Sequence, residues 1–188
     1  YNTVLEVGCG ECTSLSSILK YLKNTKPDIF GFDLSWSRIY EGKKILNDNH
    51  KKNLFVADLF SIPLQDNSIN VVYSSHSLEP NGGMEEDAIR ELIRVSSDKV
   101  ILIEPIYELA SNEQKRRMTK HGYIKNLKSV CESFEVNILN ILDIDFFKNS
   151  IFLLPIIEEN GSMNFYKWKK NDILFVNKYG VLEPKKSI

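Results

Sequence analysis

Four short segments of this chain carry residue types able to hold a nucleoside or move a proton. The first is Glu6-Val7-Gly8-Cys9-Gly10, at the end of the apolar run Thr3–Val7. Glycines at such a turn let the backbone approach a ligand closely. A β-branched side chain at Gly8 would fill the space that ligand needs. The second is Asp33, which follows Gly10 by 23 residues. A carboxylate there can accept both hydroxyls of a ribose. The third is Asp58, after the apolar run Leu54–Val56, and the fourth is Ser74-Ser75-His76-Ser77-Leu78-Glu79. An imidazole at position 76 can deprotonate a hydroxyl or an amine, or simply hydrogen-bond the backbone. Glu79 and Tyr107 are further rim candidates, each with a structural role as the simpler reading.

Cys9 and Cys12 have C-x-x-C spacing just before an expected helix, where a thiolate would be favoured by the helix N-terminus. A zinc site needs a second such pair, and Cys131 is the only other cysteine. Two small residues in a glycine loop is the simpler reading, with Cys131 in the core. Three cysteines fit a reducing compartment better than a disulfide scaffold.

These segments need elements to position them. Strands are expected at Thr3–Val7, Ile29–Phe32, Leu54–Val56, Ile69–Tyr73, Val100–Ile103 and Val136–Leu142. Leu15, Ile18, Leu19 and Leu22 make one helical stripe, with Thr13 or Ser14 as its cap. Ser35 caps a second helix reaching about Asn47, with Trp36, Ile39, Tyr40 and Leu46 as its apolar positions. Met84–Val95 is a third, with Ala88/Leu92 and Ile89/Ile93 paired at i, i+4. Ser111 and Gln114 form a capping box for a fourth, interrupted near Gly122 and resuming with Ile124, Leu127, Val130 and Phe134. Strands alternating with helices predict an α/β doubly wound, mostly parallel sheet with helices on both faces. In such sheets ligands sit beyond the carboxyl ends of the strands, where all four segments converge.

The 188 residues suit one domain, with or without a small appendage. Lys and Arg number 24 against 25 Asp and Glu, so the net charge is −1. That balance argues against holding nucleic acid by bulk charge and leaves room for a local basic patch. Lys115, Arg116, Arg117, Lys120, Lys125 and Lys128, with His121, form such a stretch. It faces RNA or an anionic substrate, or is a solvated helix face, the simpler reading. The longest apolar run, Ile151–Ile157, is too short for a membrane span. The chain opens on Tyr1 rather than Met, which leaves open whether a segment precedes it.

Glu6-Val7-Gly8-Cys9-Gly10, Gly31-Phe32-Asp33-Leu34-Ser35, Ala57-Asp58 and Asn70–Glu79 resemble, in order and spacing, the successive motifs of class I S-adenosylmethionine-dependent methyltransferases. The resemblance runs from about Tyr1 to Phe134 and implies the Rossmann-like fold of that family. It implies S-adenosyl-L-methionine as cofactor, with S-adenosyl-L-homocysteine as product. It places Gly8, Cys9 and Gly10 at the methionine moiety, with Glu6 fixing the loop and the amino group. Asp33 would take the ribose, Leu34 would pack on adenine, and Asp58 with Leu59 would take the adenine amino end. Ser74 and Ser75 would line the cofactor edge, and His76 is the catalytic candidate. No metal is implied. Cys12 stands where the family usually has a third glycine, tolerable if its φ is negative, and Asn70 stands where an Asp commonly opens the fourth strand.

The implied activity is methyl transfer to an unidentified acceptor. The charge balance favours a small molecule, while nucleic acid and protein acceptors stay open. The alternative is a non-catalytic S-adenosylmethionine-binding regulatory or scaffold protein. A nicotinamide dinucleotide fits less well, because Thr13 replaces the third glycine of that fingerprint. A cytoplasmic protein with no membrane association is expected. Residues 1–148 are read as the methyltransferase core. Residues 149–188 are read as a β-rich extension or the last strand of the sheet. Pro155–Ile188 weakly resembles the small zinc-ribbon-like domains that accompany some methyltransferases, without the cysteines a metal would need.

Overall fold

A computed structural model describes residues 2–21, 27–46, 50, 53–134, 138–143 and 172–177. Its strands are β1 (Thr3–Val7), β2 (Asp28–Asp33), β3 (Leu54–Val56), β4 (Ile69–Ser75), β5 (Ser96–Ile103), β6 (Ile138–Asp143) and β7 (Asp172–Asn177). Its helices are α1 (Thr13–Tyr21), α2 (Trp36–Ile45), α3 (Glu85–Val95), α4 (Asn112–Lys120) and α5 (Leu127–Ser133), with a 3₁₀ turn at Tyr107–Leu109. The strands form one sheet in the order β3-β2-β1-β4-β5-β7-β6, and every pairing is parallel. Parallel strands need crossovers, and here helices supply most of them on both faces, while residues 57–68 link β3 to β4 without a helix. The fold is therefore the doubly wound α/β arrangement expected.

The strand alternation sends side chains to two cores. Leu5 and Val7 of β1 join Val72, Leu102, Ile89 and Leu92 on the face covered by α3 and α5. Val4 joins Val71, Tyr73, Leu15, Ile18 and Ile39 on the face covered by α1 and α2. Glu6 has the same parity as Val4, so its carboxyl enters this second layer opposite Tyr73 in the β1–β4 register. In α3, Ala88, Ile89, Leu92 and Val95 are buried along one stripe.

Some boundaries differ from the pattern. α1 begins at Thr13, so Thr13 and Ser14 lie in its first turn and Cys12 precedes it. In α2 the buried residues are Ile39 and Gly42, while Trp36 and Tyr40 stack on each other in solvent at 5.4 Å. β5 starts four residues early, directly after α3. Ser96 Oγ donates to Lys99 O and Ser97 Oγ to Ile69 O, which satisfies these side chains within the sheet. Asn70 Oδ1 accepts the N–H groups of Asn2 and Thr3, and its Nδ2 donates to Ser97 Oγ. An amide thus ties the β1, β4 and β5 starts together, using a donor that an aspartate lacks. Leu22, the helix end at Asn47 and Val136 lie outside the described residues, as does most of the 149–188 segment.

Leu92 is fully buried between α3 and the sheet. Leu92→Ala is expected to destabilise the fold by about 2–5 kcal/mol, read as a lower denaturation midpoint with an unchanged slope.

Candidate functional site

β1 ends in a turn whose backbone is left-handed at Gly8 (φ +63°), Gly10 (φ +54°) and Cys12 (φ +61°). Cys12 corrects the expectation of a negative φ. An L-residue in this region costs about 1–2 kcal/mol, and burial of the thiol holds it there. Cys12 is fully buried and its Sγ packs where a side chain on Gly42 would go, 2.6 Å from that position. The conformation suits helix entry: Cys12 N–H donates to Cys9 O and Cys12 O accepts from Ser16 N–H, each at 2.8 Å.

Gly8 is required for a different reason than ligand space alone. A Cβ there would stand 2.3 Å from Ser77 Cβ, so the turn after β4 sits directly on the glycine loop. At Gly10 the first neighbour would be the Arg38 guanidinium, which lies across the loop and pairs with Glu11 at 3.1 Å.

Asp33 closes the second strand end. Its Oδ2 accepts the Gly10 N–H at 3.0 Å and its Oδ1 the Ser35 N–H at 2.8 Å, with Arg38 3.8 Å away. A carboxylate offers about four acceptor positions, so two remain, although Asp33 itself is not among the residues lining the adjoining cleft. Leu34, next in sequence, is 72% exposed. A cleft lined by Glu6, Gly8, Gly10, Thr13, Arg38 and Ser75, among others, runs between these strand ends. Asp58 lies outside that lining: its Oδ1 caps the Phe60 N–H at 2.9 Å. Leu59 packs partly buried against the α3-side core.

Glu6 is 2% exposed, and its Oε2 has no hydrogen-bond partner among the described residues. Tyr73 Oη, Ser74 Oγ and Ser77 Oγ are orphaned in the same way. Burial pushes the Glu6 carboxyl up to about 8. An unpartnered acid in a cleft is an invitation to a cation or an N–H donor.

His76 has φ +55° and donates its N–H to Ile103 O at 3.1 Å. Its Nδ1 faces Glu79 Oε2 at 3.3 Å. Glu104, at the end of β5, was not singled out by the motifs. It is 1% exposed and accepts the N–H groups of Ser77, Leu78 and Glu79 at 3.0, 3.2 and 3.3 Å. Burial raises it to about 7, against those N–H groups. The only sequence signal was its place at a strand end before Pro105. The Cys9 and Cys12 sulfurs are 3.7 Å apart. The Cys12 thiol and burial push the Cys9 thiol up, while the hydrogen bond with Cys9 draws the Cys12 thiol down. No group of three or more His, Cys, Asp or Glu able to hold a metal occurs among the described residues. No helix among them is long and apolar enough to cross a membrane.

A family profile described as a methyltransferase domain matches residues 4–99, just over half of the chain. The chain belongs to this methyltransferase-domain family. Geranyl diphosphate C-methyltransferase from Streptomyces coelicolor A3(2), crystallised with Mg²⁺, geranyl diphosphate and S-adenosyl-L-homocysteine, is similar at 13% identity and a TM-score of 0.61, over 76% of this chain and 55% of that one. This chain thus spans little more than half of that enzyme's length. A methyltransferase of Haloferax volcanii in complex with the Trm112 methyltransferase activator is similar at 16% identity and a TM-score of 0.58, over 86% and 72% of the two chains. A SAM-dependent methyltransferase from Aquifex aeolicus is similar at 17% identity and a TM-score of 0.52, over 75% of each chain. At these identities the likeness is one of fold. No curated protein sequence matches the chain significantly.

Glu6 and Glu104 hold their protons more tightly folded than unfolded, where a glutamate titrates near 4.5. Their contribution to stability is therefore complete below about pH 4.5 and is lost as pH rises through about 7 and 8. Glu6→Gln removes one of these ionisations. In thermal melts of the ligand-free protein its stability relative to the parent is expected to increase from pH 5 to pH 8 by about 1 kcal/mol per pH unit. A difference independent of pH would show that Glu6 titrates normally.

Proposed function

We propose that this chain transfers a methyl group from S-adenosyl-L-methionine to a small-molecule acceptor. The observation that carries this reading is the orphaned Glu6 carboxyl, beside a left-handed glycine turn that Asp33 closes. The cofactor's amino group is the cation such an acid lacks, and Asp33 retains acceptor positions for two ribose hydroxyls. Gly8, Cys9 and Gly10 present backbone to the methionine moiety, and exposed Leu34 offers an apolar face to the adenine. Asp58, with one oxygen on Phe60 N–H, keeps the other for the adenine amino end beside Leu59. Ser74 and Ser75 complete the edge toward the acceptor.

The bound cofactor supplies an already activated methyl group, so the chain's main tasks are to bind, orient and exclude water. His76 is assigned the acceptor's proton. With the Nδ1 proton directed at Glu79, Nε2 carries the accepting lone pair, the arrangement in which a carboxylate orients a histidine base.

Titration with S-adenosyl-L-homocysteine tests the cofactor site. Asp33→Ala and Asp33→Asn are expected to weaken binding by roughly tenfold to several hundredfold, because hydrogen bonds to a charged group contribute about 1.5–3 kcal/mol each. The Asn variant keeps an acceptor for the loop, so unchanged affinity in a folded Asn variant would move the ribose elsewhere.

His76→Asn tests the base, since asparagine tolerates the left-handed backbone at this position. It is expected to lower turnover by about 10²–10⁴-fold and leave cofactor affinity unchanged. Parent turnover should fall on the acid side as the imidazole protonates, and the variant should lose that limb. A variant with lower thermal stability, modest rate loss and an unaltered pH profile would make His76 structural.

A further inference from the structure

We infer that the methyl acceptor carries an anionic oxygen group, a phosphate or a carboxylate, held by Lys115 and Lys125 across the ring of Tyr107. The inference rests on the methyl-transfer reading above and specifies the substrate class of that site.

Two ammonium groups converge on one aromatic ring. Lys115 Nζ lies 5.6 Å and Lys125 Nζ 5.7 Å from the Tyr107 ring centroid. Neither forms an ion pair with a carboxylate among the described residues. The ring face attracts each cation, and the cations repel each other. An anion between them removes that conflict. Of the neighbouring acids, Glu85 accepts the backbone N–H of Lys125 itself at 2.9 Å, and Glu108 accepts the Ser129 N–H at 3.0 Å through Oε1 while its buried Oε2 has no partner among the described residues.

The cluster is also anchored. Lys115 sits in the first turn of α4, which begins with the reciprocal Ser111–Gln114 capping box. Lys125 is pinned through its backbone to the buried carboxyl of Glu85. Tyr107 opens the 3₁₀ turn that follows β5, three residues past Glu104.

Its position suits an acceptor. Ile124, the neighbour of Lys125, donates its N–H to Glu79 O at 3.0 Å, and the Glu79 carboxylate faces His76. Glu104 holds the amides of Ser77, Leu78 and Glu79 from the strand that leads to Tyr107. The lysine pair thus flanks the turn that bears the proposed base, outside the cleft assigned to the cofactor.

The test is calorimetric titration of the full chain with inorganic pyrophosphate and, separately, with citrate, each with and without saturating S-adenosyl-L-homocysteine. Saturable binding of at least one anion is expected, the tighter probe indicating phosphate or carboxylate. The Lys115→Gln/Lys125→Gln double variant should weaken it by about tenfold or more, the double Arg variant should retain it, and cofactor-product affinity should stay unchanged. No binding of either anion, or binding indifferent to the double Gln variant, overturns the inference. Single-stranded RNA bound through these lysines, with neither small anion binding, overturns it in favour of a polynucleotide site. Failure of the parent to bind S-adenosyl-L-homocysteine strikes the methyl-transfer reading itself and takes the acceptor assignment with it. Lost anion binding with that affinity intact strikes only the acceptor assignment.

Discussion

The Asp33 carboxylate joins the two strand ends from which the rest of the site is built. One oxygen takes the Gly10 N–H and the other the Ser35 N–H, so a single side chain satisfies the glycine turn after β1 and the entry to α2. Ser35 is the N-cap of α2, where backbone N–H groups lack intrahelical partners, and Gly10 lies in the turn ahead of α1. The parallel β1–β2 register, with Val7 opposite Phe32, brings them within reach. Arg38 and Glu11 then lie over the same turn as a half-exposed ion pair. Their pairing orders the surface, while Asp33 holds the backbone.

A second buried acid does the corresponding work at β4 and β5. Glu104 takes three successive N–H groups of the turn carrying Ser77, Leu78 and Glu79. That turn is pressed onto Gly8 closely enough to leave no room for a side chain there. The glycine loop, the β4 turn and the end of β5 therefore form one packed unit. His76, left-handed between β4 and that turn, is held by structure on both sides of it.

These arrangements leave acids in apolar surroundings. Glu6 has an oxygen with no partner among the described residues, and burial raises both it and Glu104 toward neutral pH. Desolvation disfavours the charged form, and only added hydrogen bonds or an opposite charge recover it. Glu104 has three such bonds within the fold. Glu6 has an unsatisfied oxygen facing a cleft, which is the pattern of a site that a ligand completes.

Local pattern alone revealed the alternation of β-strands and helices, the two-sided burial of the strands, the Ser35 and Ser111 caps, and the acids at the strand ends. Each depends on periodicity or on chemistry within a few residues. What escaped it depends on neighbours far along the chain. The negative φ expected at Cys12 gave way because packing against Gly42 outweighs a local backbone preference. β5 begins early because Ser96 and Ser97 find carbonyl partners inside the sheet. Trp36 and Tyr40 look like core residues in the sequence and stack in solvent, because α2 turns Ile39 and Gly42 inward instead. Glu104 carries no motif, since its role arises only when β5 lies beside β4. Lys115 and Lys125 are ten positions apart in a stretch that reads as solvated surface. The capping box on one side and the Glu85 carboxyl on the other bring both to Tyr107. A sequence states which charges exist, and the chain must close on itself before it is decided which of them share a ring.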